Sequence, residues 1–530
     1  MREATKEGQW ERLILALLLL VFAVELLRTA WISDDAYMTF RTIRNFSEGY
    51  GLTWNTDERV QVFTHPLWML ILLPFQVALH DAFYTTAVIS ILLSLLVVLL
   101  FATRVAGGLW GWLFGGVTLL LSKAYADYST SGLENPLTHL LLVIFLWQYT
   151  RRDLTHKRLG LLALTAALAA TNRLDTLLIF LPALAAAAYS LRGWKSLGRI
   201  ALGFSPLVLW EIFSLLYYGF PVPNPAYAKL STGIPSRDLI EQGLLYFLNS
   251  LDWDPITLTV VGAGVLAPIL TAERRNWPIS MGVVLYLLYV VWIGGDFMSG
   301  RFLTAPLLAS VVILAQALAN APPRYAVIAT VIVAILGLTA PLAPLLTDST
   351  YGEEETSIID ANGIADERAF YFPTSGLIQH ERDRRLPYHH WVQEGRAARL
   401  QGLGVVTTDS AGFFGYAAGP QVHVVDEYAL GDPLLARLPI DDTRDWRIGH
   451  FVRSAPEGYL ETLATGDNRL EDPDLAEYYD HLSLLTRGPL FDPERLGEIL
   501  RFNTGAHDYL LERYLARQGQ GARPVLPNGP

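Results

Sequence analysis

The chain has 530 residues, 52% of them hydrophobic and 17% charged, with a formal net charge of −11 and no cysteine. Soluble domains carry about 25% charged residues, so this composition and a mean hydropathy of +0.30 exclude a wholly soluble protein. The acidic balance disfavours nucleic acid as a partner. The lack of cysteine rules out disulfides, thiolate metal sites, Fe–S clusters and a cysteine nucleophile.

Apolar windows fall near 13–31, 84–103, 108–122, 133–149, 159–171, 174–190, 200–217, 256–271, 279–294, 302–320 and 325–346. Such runs approach the ~20 residues that cross a bilayer as a helix. No small-residue cleavage site follows the first, which reads as an uncleaved span. The run 64–79 either spans or lies as a short helix at the outer interface. Basic linkers at Arg104, 151–158, 191–199, 273–275 and Arg324 fall on the side of the N-terminus if 64–79 does not span. The positive-inside rule then predicts about eleven spans with the N-terminus cytoplasmic.

That topology sorts the polar residues. Asp34, Asp35, Asp127, Glu134, Asp175, Asp252, Asp254 and Asp296 fall at outer loops or helix ends, with Lys123, Arg173, Lys229 and Arg301. After about residue 346 no apolar run follows. The expected architecture is an α-helical polytopic membrane domain, 1–346, and a soluble extracytoplasmic α/β domain, 347–530. Within the latter, "GVVTT" and "QVHVV" flank a Gly-rich segment and read as strand, short helix, strand. The C-terminal "GQGARPVLPNGP" reads as a frayed tail.

Five stretches carry candidate chemistry. In "AWISDDAYMTFRTIRNF" (30–46), Ser33 is a good N-cap and Asp34 and Asp35 fill the first turn. Asp34, Tyr37, Arg41 and Arg44 would share one helix face. The pair is then either a cap with a helical ion pair, or a general base or metal ligand with Arg41 or Arg44 available for a phosphate. In "DYSTSGLENP" (127–136), Asp127 and Glu134 flank an irregular turn that, alone, reads as an ordinary polar loop. "TNRLD" (171–175) sets Asn172, Arg173 and Asp175 between two apolar runs, where ionisable groups pair, snorkel or line a cavity. "YYGFPVPNPAYAKL" (217–230) has three closely spaced prolines, cannot be regular helix there, and presents Asn224, Tyr227 and Lys229. "GGDFMSGRF" (294–302) is a tight turn holding Asp296 and Arg301, either as a salt bridge or as a phosphate clamp.

No Walker A motif, H-E-x-x-H or G-x-S-x-G is present. "YHH" (388–390) lacks metal-like spacing and reads as surface. Polar outer loops above an apolar body suit a lipid-linked phosphate substrate. Its tail lies in the bilayer, its phosphate meets Arg or Lys, and a carboxylate faces an acceptor hydroxyl.

With these segments in hand, the chain resembles the GT-C type membrane glycosyltransferases, most of all the AftB-type arabinofuranosyltransferases of actinobacteria. The matching stretches are "SDDAYMTFRTIRNFSEGYGLTWN", "THPLW", "TSGLENP", "NRLD", "YYGFPVPNPAYAK", "GGDFMSGRF", "DSAGFFGYAAGPQVHVVDEYALGDPLLARLP" and "WRIGHF". The resemblance implies a bacterial plasma-membrane enzyme with a polyprenyl-phosphate sugar donor and a cell-envelope glycan acceptor. It implies a catalytic carboxylate in the first outer loop, carried onto Asp34 and Asp35. It implies donor contacts at Arg173, Tyr227, Lys229, Asp296 and Arg301, with Arg41, Glu134, Asn172, Asp175 and Asn224 as further substrate-binding candidates. Two carboxylates near a phosphate repel it, and either the arginines or a divalent cation offsets that repulsion. Transfer of a hexose such as mannose to protein, lipid or lipopolysaccharide is the alternative within the class. Transport without sugar transfer is the alternative outside it, against which stand charges at span ends and no visible repeat.

Overall fold

The computed structural model describes residues 2–518 except 152, 231, 272, 353–357 and 382–384, with side chains from residue 9 onward. The tail after 518 and Arg152 of the basic linker lie outside the described residues.

Each apolar window carries a helix, among them Arg2–Thr29, Phe83–Leu100, Leu109–Leu121, Asn135–Tyr149, His156–Asn172, Thr304–Ala319 and Pro323–Leu338. Proline in the first turn opens the helices at 135, 205, 277 and 323, where its missing N–H costs no helical hydrogen bond. By length and apolarity the segments Phe83–Val105, Leu174–Leu191 and Arg301–Ala319 are long enough to cross a membrane. Three bent pairs of helices are long and apolar enough only when each pair is taken as one span. The expectation of eleven spans is therefore not met by length alone, since helices such as Leu109–Leu121, with 13 residues, stop short. Pro66–Leu79 is likewise an apolar helix of only 14 residues.

One helix, Ser236–Trp253, has no counterpart among the apolar windows, because Arg237, Asp238 and Glu241 dilute its start. It turns 113° into the apolar helix that follows.

The polar groups separate to two ends. Arg104 and Arg151 both sit over the Trp147 ring, and Arg275 donates to the carbonyls of Tyr149 and Arg151. At the other end of the Asn135–Tyr149 helix, Glu134 meets Arg173 and Arg301. There also Asp254 accepts from Ser122 Oγ and the Ala124 N–H. The linker residues Arg104, Arg151 and Arg275 thus gather at one end of the Asn135–Tyr149 helix.

Beyond residue 346 the strand–helix–strand unit forms as read. Strand β1, Val405–Thr408, pairs in parallel with β2, His423–Asp426, and the helix Ala411–Ala418 joins them. The rest is helical, ending in Pro473–Arg487, Pro493–Asn503 and Asp508–Arg517. The α/β description therefore fits one unit of this region only. These last helices form a core of their own around Leu482, Leu485, Ile499 and Phe502, which Phe220 and Ala228 of the proline-rich loop join. That loop is helical from Asn224 to Leu230, beginning where its last proline, Pro225, falls in the first turn.

Candidate active site

The first helix turns by 85° into the helix Asp34–Ser47. Ser33 caps it as expected, its side chain accepting from the Ala36 N–H at 3.3 Å. The Ser33 N–H donates to the Ser131 carbonyl at 2.9 Å, and Gly132 packs beneath the first turn. A Cβ at Gly132 would lie 2.9 Å from that of Ala36, and its φ of +84° is one that L side chains rarely adopt. The "TSGLENP" turn thus fixes where the two carboxylates stand.

Asp34, Tyr37, Arg41 and Arg44 do share a face, and that face is covered by the helix 411–418. The Asp34 carboxylate accepts the Gly412 N–H at 2.9 Å and the Phe413 N–H at 2.5 Å. Tyr37 packs edge-on to Phe413 and Tyr416. Arg44 donates to the Tyr416 carbonyl at 3.2 Å. Arg41, 1% exposed, donates to the carbonyls of Trp54, Gly415 and Val422 and stacks on Trp54. Its donors are spent on backbone, so Arg41 clamps the two regions together and is not placed to hold a phosphate. The Asp34 carboxylate satisfies free N–H groups at a helix start. Burial pushes its pKa up to about 7, with the Asp35 charge adding to the rise and the Phe413 and Gly412 N–H groups opposing it.

Asp35 is placed differently. It is only partly buried and accepts no hydrogen bond from the described residues. It faces a cavity of about 230 Å³ between residues of the helix Asp34–Ser47, Lys229 and Phe297 on one side and the βαβ unit on the other. Asp34, Glu367, Asp409 and Asp426 also line the cavity, as do Lys229, Arg447 and His450. Asp409 follows β1 and Asp426 ends β2, so the cavity opens at the carboxyl ends of two parallel strands, where ligands of α/β units commonly sit. Asp426 accepts from the N–H groups of Tyr428 and Leu430 at 3.0 and 2.7 Å, and burial raises its pKa to about 6 against those bonds. Burial and the Asp35 charge also raise that of Glu367. Burial and the nearby Arg447 and Lys229 charges hold His450 down to about 3, hence neutral. Lys229 and Arg447 both stand over the Phe297 ring, at 5.7 and 5.8 Å from its centroid, and neither pairs with a described carboxylate.

A second cluster lies alongside. Glu134, fully buried, receives Arg173 at 2.7 Å and Arg301 at 3.1 Å, and His65 Nδ1 lies 3.2 Å away. The other ring nitrogen of His65 is 2.8 Å from Thr39 Oγ1 on the Asp34–Ser47 helix. Asp175 holds Arg173 from its other side at 2.9 Å, and Asp296 lies 3.8 Å from Arg301. Burial raises the Glu134 pKa, but Arg301, His65 and Arg173 outweigh it and keep Glu134 well below the usual carboxylate range. Here three acids face two arginines, so neither guanidinium is left as surplus charge. Asn172 supports the cluster by donating to the Glu134 carbonyl and to Thr138 Oγ1.

Of the remaining predicted residues, Lys229 reaches the cavity and its neighbours do not. Asn224 donates to the carbonyls of Ala429, Leu430 and Asp432, and Tyr227 packs against Arg437. Both pin the proline-rich loop to the segment after β2. His389, read as surface, is 7% exposed. It caps the helix His390–Leu400 and packs against Phe413, while His390 is exposed. Glu367, Asp409, Asp426, Arg447 and His450 were not anticipated. Asp409 and Asp426 had a signal, since they end the two legible strands. Arg447 and His450 lie in the matching stretch "WRIGHF", and only Glu367 had no signal.

No family model matches the chain. It is related in sequence to the terminal beta-(1->2)-arabinofuranosyltransferase of Mycobacterium tuberculosis, 30% identical over 328 residues, covering 52% of this chain and 51% of that protein. The protein of the same name from Corynebacterium glutamicum is 28% identical over 324 residues, 53% of this chain and 47% of the relative. The match therefore spans about half the length of each relative. The solved structure of ArnT from Cupriavidus metallidurans bound to undecaprenyl phosphate superposes with a TM-score of 0.47 and 14% identity, over 80% of this chain and 87% of that one.

Proposed function

We propose that the chain is a polyprenyl-phosphate-dependent membrane glycosyltransferase of the GT-C type. It moves arabinofuranose from a lipid-linked donor to a cell-envelope glycan on the outer side of a bacterial plasma membrane. The observation that carries this reading is Asp35, a carboxylate that accepts no hydrogen bond from the described residues, facing a cavity shared with Lys229 and Arg447, neither of which pairs with a described carboxylate. The kinship to arabinofuranosyltransferases over half the chain supports the sugar. The segregation of basic linkers to one end supports an inner N-terminus and an outer C-terminal domain.

Asp35 takes the proton of an acceptor hydroxyl as that oxygen attacks the anomeric carbon. The anomeric C–O bond to the lipid phosphate breaks, and the electron pair leaves with the phosphate. Lys229 and Arg447 balance the charge of that leaving group. Asp409 and Asp426 add negative potential that favours an oxocarbenium-like transition state. Asp34 holds the helix 411–418 against the site. Glu134, Arg173 and Arg301 brace the loops that carry Asp296 and the "TSGLENP" turn. A single direct displacement inverts the anomeric centre.

The test is transfer by the purified chain from synthetic polyprenyl-phosphate arabinofuranose, against the mannose and glucose analogues, to an arabinan oligosaccharide. A product heavier by one pentose, from the arabinose donor alone, is expected. Transfer from a hexose donor instead overturns the sugar. Movement of the intact lipid across proteoliposomes without any new glycosidic bond overturns the enzyme class.

A further inference from the structure

Away from the cavity, three metal-ligating side chains converge where the last three helices meet. His481 comes from Pro473–Arg487, Glu498 from Pro493–Asn503, and His507 from the residue before Asp508–Arg517. One ligand atom of each lies within 4.8 Å of the others. None lines the cavity that holds Asp35.

The donor geometry is specific. His481 Nδ1 lies 3.1 Å from Glu498 Oε1, and His507 Nε2 contacts the same oxygen. Ligands at 2.0–2.2 Å around a tetrahedral ion are separated by about 3.3 Å, so small movements admit a cation between them. The two imidazole rings stack with centroids 3.7 Å apart and planes 20° from parallel. Two imidazolium ions would repel in that arrangement, so it suits neutral rings, the form that binds metal. The Glu498 side chain is 3% exposed and that of His481 31%, which leaves one open side for a water ligand. Arg501 lies 3.4 Å from the other Glu498 oxygen, and its side chain is 66% exposed and able to swing away.

The donor set also selects the ion. Two imidazoles and one carboxylate are too rich in nitrogen for calcium or magnesium, which take oxygen ligands. With no thiolate available, they suit zinc and its neighbours among the divalent transition metals.

We propose that His481, Glu498 and His507 form a divalent transition-metal site of the zinc class that clips the three C-terminal helices together. To take the metal, each neutral imidazole carries its proton on the ring nitrogen away from Glu498, so that the nitrogen now facing Glu498 offers its lone pair and no net proton is released. It ties residues from three separate elements and so stabilises a helical core with no disulfide to hold it.

The experiment uses the full chain in detergent, with any affinity tag removed, stripped by chelator and dialysed against micromolar Zn2+ or Co2+. Bound metal and thermal unfolding are measured. About one metal per chain is expected, with visible absorption bands for cobalt and a higher unfolding temperature for the loaded form. Glu498→Gln and His507→Gln preserve size and hydrogen bonding. Each is expected to weaken binding at least tenfold and to remove the thermal shift, while eluting as a single species. Absence of uptake at micromolar metal overturns the proposal. So does uptake that survives both variants but is lost on Asp35→Asn, which would place the ion in the cavity.

Discussion

The Asp34 carboxylate accepts the Gly412 N–H at 2.9 Å, bridging a separation of 378 residues. Asp35, the next residue, makes no such bond and looks into the cavity. Adjacent and chemically identical, the two carboxylates are thereby placed differently. One caps a distant helix, and the other faces the cavity and, in the proposed mechanism, meets the acceptor.

Asp35→Asn should therefore lower transfer by about 10²–10⁴-fold and leave the unfolding temperature unchanged. Asp34→Ala should lower both, because it leaves two N–H groups at a buried helix start without an acceptor. Activity and thermal unfolding measured on the same preparations check this. Full transfer by Asp35→Asn would remove it as the base.

Gly412→Ala tests the same contact from the other side. An added Cβ would overlap the Asp34 carbonyl and stand 2.6 Å from its Oδ2. The overlap should push the helix 411–418 away and cost about 1–3 kcal/mol. Hydrogen exchange at residues 411–418 should speed up relative to the helix 473–487.

Glu134 is buried among Arg173, Arg301 and His65, so Glu134→Ala should destabilise the protein by about 3–5 kcal/mol. Arg301→Met in the Glu134→Leu background should recover part of that loss. A double-mutant cycle by chemical unfolding reads the coupling, and strict additivity would contradict the network.

The cations have a separable signature. Lys229→Ala and Arg447→Ala should each raise KM for the lipid-linked donor about tenfold or more with little change in unfolding temperature, because neither holds a described carboxylate. Inorganic phosphate should inhibit the wild type more strongly than either variant.

At the opposite end of β2 from the cavity, His423 Nδ1 lies 3.0 Å from Asp57, and Arg487 pairs with Asp57 and Glu58. Burial raises the Asp57 pKa, but the hydrogen bond and charge of His423 outweigh it and bring Asp57 down to about 2. Burial lowers that of His423, and the Asp57 bond and Glu58 charge carry it above its ordinary value. Because the His423 pKa is raised on folding, its stabilisation is full below about 6.5 and lost as pH rises through the folded value. The depressed Asp57 stabilises above about 3.9 and is lost toward pH 2. The unfolding temperature should therefore fall on the alkaline side of pH 6.5, and His423→Gln should flatten that fall.

Local features were legible in the sequence, and long-range ones were not. Ser33, the first-turn acids and the shared face of Asp34, Tyr37, Arg41 and Arg44 follow from helical spacing alone. What covers that face is some 370 residues away and leaves no mark near residue 34, so Arg41 read as a phosphate ligand. The strands announced themselves by β-branched runs, and with them the positions of Asp409 and Asp426. Glu134 looked like a loop residue because its partners, Arg173 and Arg301, come from two other turns. The helix Ser236–Trp253 leaves no apolar window in the sequence, because its first turns are charged.

The contact between residue 34 and residues 412–413 also sets an order of assembly on the ribosome. Chains grow from the N-terminus at about 5–20 residues per second, so the two carboxylates emerge long before the N–H groups that Asp34 requires. Through most of synthesis they stand side by side without that helix, and the cavity has only one wall. The helix Asp34–Ser47, made early, is thus among the last elements to be finished.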